Sequence, residues 1–207
     1  MTSYFNSTSR ANKQRKAVMP GFFNLFSRAM AVALVLATAT TAAFAVGNLD
    51  RTFGTNGKAV TPIGPGADRG YAMALQPDGK IVVAGASTDA NGSFDTALTR
   101  YNTDGTLDQT FGTGGKVIVN LSSAGEVANA VALQSDGKIL VAGYATVAGD
   151  SNFIVTRFNS NGSVDTSFGT NGSANTPVGA AGVSDTANAI EIQTINSEER
   201  IVVVGST

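Results

Sequence analysis

Past residue 45 the apolar residues come in short runs broken by Gly, Asp, Asn and Ser, the pattern of strands separated by tight turns. The stretch from 116 to 162 shows the order. KVIVNL (116–121) is a short strand rich in branched residues. NAVALQ (129–134) alternates, with Ala130 and Ala132 on one face and Val131 and Leu133 on the other. SDGK then brings Asp136-Gly137, a dipeptide suited to the positive φ angles of a two-residue type I′ hairpin turn. KILVAGYA (138–145) is apolar almost without a break, as in a strand covered on both faces. FIVTRFN (153–159) is the fourth strand, closed by the turn-forming SNGS. No stretch after residue 45 carries helical spacing.

The pattern recurs. LDRTFGTNGK starts at Leu49, LDQTFGTGGK at Leu107 and VDTSFGTNGS at Val164. YAMALQPDGKIVVAG (71–85) lines up with NAVALQSDGKILVAG (129–143), and more loosely with NAIEIQTINSEERIVVVG (188–205). TALTRYNTDGTLDQTFG (96–112) matches FIVTRFNSNGSVDTSFG (153–169). These alignments divide a repeat domain, 46–207, into units at 49–106, 107–163 and an incomplete 164–207. Four antiparallel strands per unit of ~58 residues, with covered inner strands, predict an all-β chain of β-propeller-like blades. Because a propeller closes with ~4 to 8 blades, an incomplete propeller or open arc is expected, and the chain reads as a fragment of a longer product. The rivals are a β-solenoid, whose coils are usually shorter at ~20–30 residues, and a sandwich, which does not repeat its sequence.

The ordered words LDxTFGTxGK, ALQxDGKIxVAG and TRYNxDGxLDxTFG resemble the bacterial delta-60 repeat, over residues 48 to 207. That resemblance implies a propeller-like, non-enzymatic protein of the surface or exterior. It supplies no activity to carry over. The third copy departs from the pattern, since TINSEER stands where the other copies have an Asp-Gly turn, and a longer loop is expected there.

Charge divides the chain. Of 14 Lys and Arg, five (Arg10, Lys13, Arg15, Lys16 and Arg28) precede residue 29, while all 15 Asp and Glu follow it. The basic lead, the apolar run AMAVALVLATATTAAFA (29–45) and the terminal Ala43-Phe44-Ala45 describe a signal peptide at 1–45, cut before Val46, with Met19 as an alternative start. A secreted, periplasmic or cell-surface bacterial location follows, with no membrane span after cleavage. The acidic remainder lacks the clustered bases that phosphate neutralisation needs, so nucleic acid is not an expected partner.

There is no His and no Cys, so the usual acid–base relay, thiol nucleophile and zinc ligand sets are missing. No catalytic residue and no resident cofactor are expected. One oxygen-rich pattern suggests calcium: Asn102, Asp104 and Asp108 in NTDGTLD, and Asn159, Asn161 and Asp165 in NSNGSVD. The competing reading is a turn whose Asn and Asp side chains bind local amides. Arg100 and Arg157 hold matching strand positions, and Asp108 and Asp165, eight residues on, are their expected partners. Phe53, Phe111 and Phe168 head equivalent turns and are expected to plug the gaps between units rather than line an exposed rim.

The expected function is a non-catalytic scaffold that presents loops to a protein, glycan or surface ligand, with self-association through the unfinished C-terminal unit. The alternative is a piece of an extracellular propeller hydrolase or lyase acting on a polymer, with its catalytic residues in other blades.

Overall fold

The computed structural model describes residues 48–207 apart from Ser123, Ala148 and Ala181. The leader assigned to 1–45, with its alternative start at Met19, lies outside the described residues. From Asp68 onward the chain forms ten strands in three antiparallel sheets. The first sheet runs β1 (Asp68–Leu75), β2 (Ile81–Thr88), β3 (Phe94–Tyr101) and β4 (Lys116–Val119), in that spatial order. The second repeats it with β5 (Glu126–Leu133), β6 (Ile139–Val147), β7 (Asp150–Phe158) and β8 (Ser173–Thr176). The third holds β9 (Thr186–Ile195) and β10 (Glu198–Ser206). The sheets do not close on themselves, and the architecture is an incomplete propeller, an open arc of blades. Among the described residues no helix is long and apolar enough to cross a membrane.

Two cores join neighbouring sheets. β5 lies across β1, β2 and β3, and Val82, Ala84, Leu98 and Phe111 pack with Ala128, Ile139, Val141 and Phe158. β9 lies across β5, β6 and β7, where Ala130, Leu140, Ala142 and Val155 meet Ala187 and Ile190. The alternation of NAVALQ explains this division: Val131 and Leu133 face the first sheet, while Ala130 and Ala132 face the third. In the second sheet β5 and β6 therefore belong to two cores at once, which is why β6 reads as continuously apolar.

Each inner pair carries a bulge, between Gly70 and Ala72, between Ala128 and Ala130, and opposite Val204 and Gly205. The glycine of VAG sits there. A Cβ on Gly143 would run into the Val127 carbonyl, so only a bare backbone fits.

Three sequence expectations change. KVIVNL supplies the outermost strand of the preceding sheet, not the first of its own: Lys116–Val119 pairs with Thr96–Thr99 of β3. The Asp-Gly turns are not type I′. Gly137 N–H donates to the Gln134 carbonyl (3.0 Å) and Gln134 N–H to the Lys138 carbonyl (2.9 Å), with Gly137 at φ 84° and Asp136 not in the left-handed region. This is the three-residue loop that follows a type I turn with a left-handed glycine, and Pro77 suits the first central position of its counterpart in the first sheet. The type I′ geometry appears instead in the third copy. Asn196 and Ser197, at φ 51° and 67°, alone connect the paired Ile195 and Glu198. The extra residues there lengthen the strands and do not make a longer loop.

Candidate functional site

The recurring polar residues converge on one joint, built twice. Arg100 lies near the end of β3, and the chain then turns through 102–106 so that Asp108 N–H donates to the Arg100 carbonyl (2.9 Å). This places the Asp108 carboxylate against the Arg100 side chain: Nε donates to Oδ2 at 2.7 Å. Lys80, from the hairpin turn between β1 and β2, donates to the same oxygen at 2.9 Å. Oδ1 accepts from Thr110 N–H (3.1 Å) and Oγ1 (2.7 Å). The guanidinium also stacks over Phe111, 4.5 Å from the ring centroid, and its Nη1 donates at 2.6 Å to the Ser160 carbonyl in the turn that follows β7.

The second joint repeats this chemistry. Arg157 Nε and Lys138 Nζ meet Asp165 Oδ2 at 2.8 and 3.0 Å, Ser167 replaces Thr110, and Phe168 lies 4.7 Å from the Arg157 guanidinium. At Asp108, burial opposes ionisation, but donors from Lys80 and Thr110 and the charge of Arg100 hold the carboxyl well below the usual aspartate range. Donors from Ser167 and Lys138 do the same for Asp165, with Arg157 adding its charge. In the first copy, Asp50 has, among the described residues, only Thr52 as a donor, through N–H and Oγ1, and is exposed.

The arginine–aspartate pairs expected from the eight-residue spacing are therefore present. The lysine was missed, although Lys80 and Lys138 follow the recurring Asp-Gly and so carry a repeat signal. Phe111 is fully buried between the first two sheets, and Phe168 packs against the second core, as plugs between units. Phe53 is half-buried against the 102–106 turn, next to Gly105. The joint also differs in place from a link between blades. Residues 107–115 lie between β3 and β4 of one sheet and reach across to the next, where Gly112 N–H donates to the Asn161 carbonyl (2.8 Å).

The six calcium candidates are placed as follows. Asp104 Oδ1 accepts from Thr106 N–H (2.9 Å) and Oγ1 (2.6 Å), and Asn161 Oδ1 from Ser163 N–H (3.0 Å) and Oγ (2.8 Å). Asn102 and Asn159 turn their amide nitrogens to Thr106 Oγ1 and Ser163 Oγ, each at 3.0 Å. Asp108 and Asp165 face their cations. These are side chains binding their own turns, and among the described residues no group of three or more acidic side chains is positioned to hold a metal ion.

A second repeated carboxylate went unnoticed in the sequence. Asp68 accepts from the N–H groups of Ile63 and Gly64, Glu126 from those of Leu121 and Ser122, and Asp185 from those of Val178 and Gly179. Each ties down the loop that carries the chain from an outermost strand position to the next inner strand. Burial raises the Glu126 carboxyl above its ordinary value despite these donors. The exchange of Asp for Glu and the unequal loop lengths conceal the pattern.

Between the outer edges of the first two sheets runs a groove of about 780 Å³, where Asn120, Asn171 and Asn175 stand beside Leu121, Val147 and Ile154 and, among the described residues, no side chain of the lining is ionisable.

Residues 76–111 and 134–168 match a family described as a domain of unknown function (DUF5122) beta-propeller. The chain is a β-propeller-like repeat protein. Each matched segment opens on the glutamine of the β1–β2 or β5–β6 turn and ends on the joint phenylalanine, so it contains one whole Lys–Arg–Asp–Phe set. No curated protein matches this β-propeller-like chain.

Proposed function

We propose that this is an exported, non-catalytic repeat protein of the delta-60 kind, a structural or binding scaffold at the bacterial envelope or exterior. The observation that carries the reading is the state of the repeated carboxylates. Asp108 accepts four hydrogen bonds, two of them from cations, and Asp165 accepts three and forms an ion pair with Lys138, so neither has a free lone pair with the basicity that proton abstraction or nucleophilic attack requires. The recurring ionisable groups thus spend their chemistry on fastening their own joints, and Arg100 also ties its joint to the next blade.

The groove beside β4 and β8 offers amides and hydroxyls, groups that hydrogen-bond to neutral hydroxylated ligands such as glycans without transferring protons. The test is co-sedimentation of the purified chain with insoluble cell-surface polysaccharides, with reducing ends assayed in the same tubes. Retention without release of sugar is expected. Release that scales with protein would establish a hydrolase or lyase and overturn the reading. A reporter fused after residue 45 tests export separately, and failure to leave the cytoplasm would remove the envelope assignment.

A further inference from the structure

The register of the strands shows that the first and third sheets each expose one half of an interface that the chain already forms twice. Past the bulges, Ala72 pairs with Ala84, Ala130 with Ala142 and Ala189 with Val204. Met73, Val131 and Ile190 therefore hold one position, and Leu75, Leu133 and Ile192 another. Val131 and Leu133 pack on the first sheet, and Ile190 and Ile192 on the second. Met73 and Leu75, at the same places on β1, are 63% and 66% exposed.

The opposite face behaves the same way. Val82 and Ala84 are covered by β5, and Leu140 and Ala142 by β9. Their counterparts on β10, Val202 and Val204, are 42% and 58% exposed. Each apolar half matches what the other half packs against inside the chain.

We propose that a second copy of this chain docks head to tail, seating its β1 face on the β9–β10 face of the first as β5 seats on the first sheet and β9 on the second. The two surfaces differ, so the contact is heterologous, and each union leaves one further half open at either end. Growth continues until a ring closes or a filament forms. Glu191 puts a charge within the acceptor face: it stands where β5 has Ala132, and charge at that place weakens the contact. This inference is independent of whether the chain binds a glycan or is exported.

Sedimentation velocity of the purified chain over a concentration series tests it. The wild type should pass beyond a dimer as concentration rises. Met73→Asp retains only the β10 half and Val204→Asp only the β1 half, so each alone should stay monomeric, while an equimolar mixture forms a 1:1 complex and stops there. Glu191→Ala should shift association to several-fold lower concentration with its thermal unfolding unchanged, and the gain should be lost when Met73→Asp is added. Both aspartate variants change exposed side chains, and thermal unfolding equal to that of the monomeric wild type will verify their folds. A wild type that is monomeric throughout, a mixture that stays monomeric while both variants are folded, or Met73→Asp associating with itself would each overturn the proposal.

Discussion

Arg100 and Asp108 meet through a 2.7 Å bond between Nε and Oδ2, and Arg157 and Asp165 repeat it at 2.8 Å in the next blade. The two pairs are not equivalent. The Arg100 side chain is 8% exposed and also donates to Ser160 in the turn that follows β7, whereas Arg157 is 18% exposed and makes its side-chain bonds within its own joint, to Asp165 and Ser167. One arginine clamps two blades; the other stabilises only the loop it belongs to.

Arg100→Ala should therefore cost about 3 kcal/mol, the lower end for breaking a buried pair, because Lys80 still neutralises Asp108. Arg157→Ala should cost clearly less. Urea unfolding of both variants measures the difference, and equal midpoints would show that the bond to Ser160 contributes nothing.

Acid should weaken the fold through the same joints. Asp108 and Asp165 are held below their ordinary values, so the stability they contribute is complete above the unfolded aspartate pKa of ~3.9 and is lost as pH falls toward their folded values. Unfolding midpoints should fall steadily below about pH 4. Asp108→Asn should show a shallower fall, and an unchanged slope would place the acid sensitivity elsewhere.

Phe111 is fully buried between the first two sheets, so Phe111→Ala should cost about 3–5 kcal/mol through lost transfer energy and the cavity left behind. Phe168→Ala should cost less, since that ring is only partly covered. Differential scanning calorimetry of the two variants gives the comparison. A small effect at Phe111 would mean that the two blades repack across the gap.

Calcium should leave the melting temperature where chelator leaves it. A cation at Asp108 would have to displace Arg100 and Lys80, and Asp104 and Asn161 are engaged with their own turns. A higher melting temperature in calcium would show that the turns rearrange to coordinate it.

Features that depend on neighbouring residues were open to sequence reasoning. The alternation of Val131 and Leu133 with Ala130 and Ala132 places one residue set on each face, because the strand period is two. The Arg100–Asp108 pairing could be read because the partners recur eight residues apart on one side of a turn. Lys80 recurs with Lys138 after each Asp-Gly, but its partner could not be read, since Asp108 lies beyond a different hairpin 28 residues away. Turn types escaped for a related reason. Asp-Gly permits several geometries, and the hydrogen bond from Gln134 to Lys138 selects one.

By itself the sequence determined the repeat, the β pattern within it, the arginine–aspartate pairs and the aromatic plugs, all encoded by spacing along the chain. The tertiary structure alone decided which sheet owns Lys116–Val119, where Lys80 and Glu126 send their charges, and that Met73 and Val204 stand exposed while their counterparts in the other sheets are packed. Those facts depend on strands meeting across sheets, where partners are chosen by packing and not by distance in sequence.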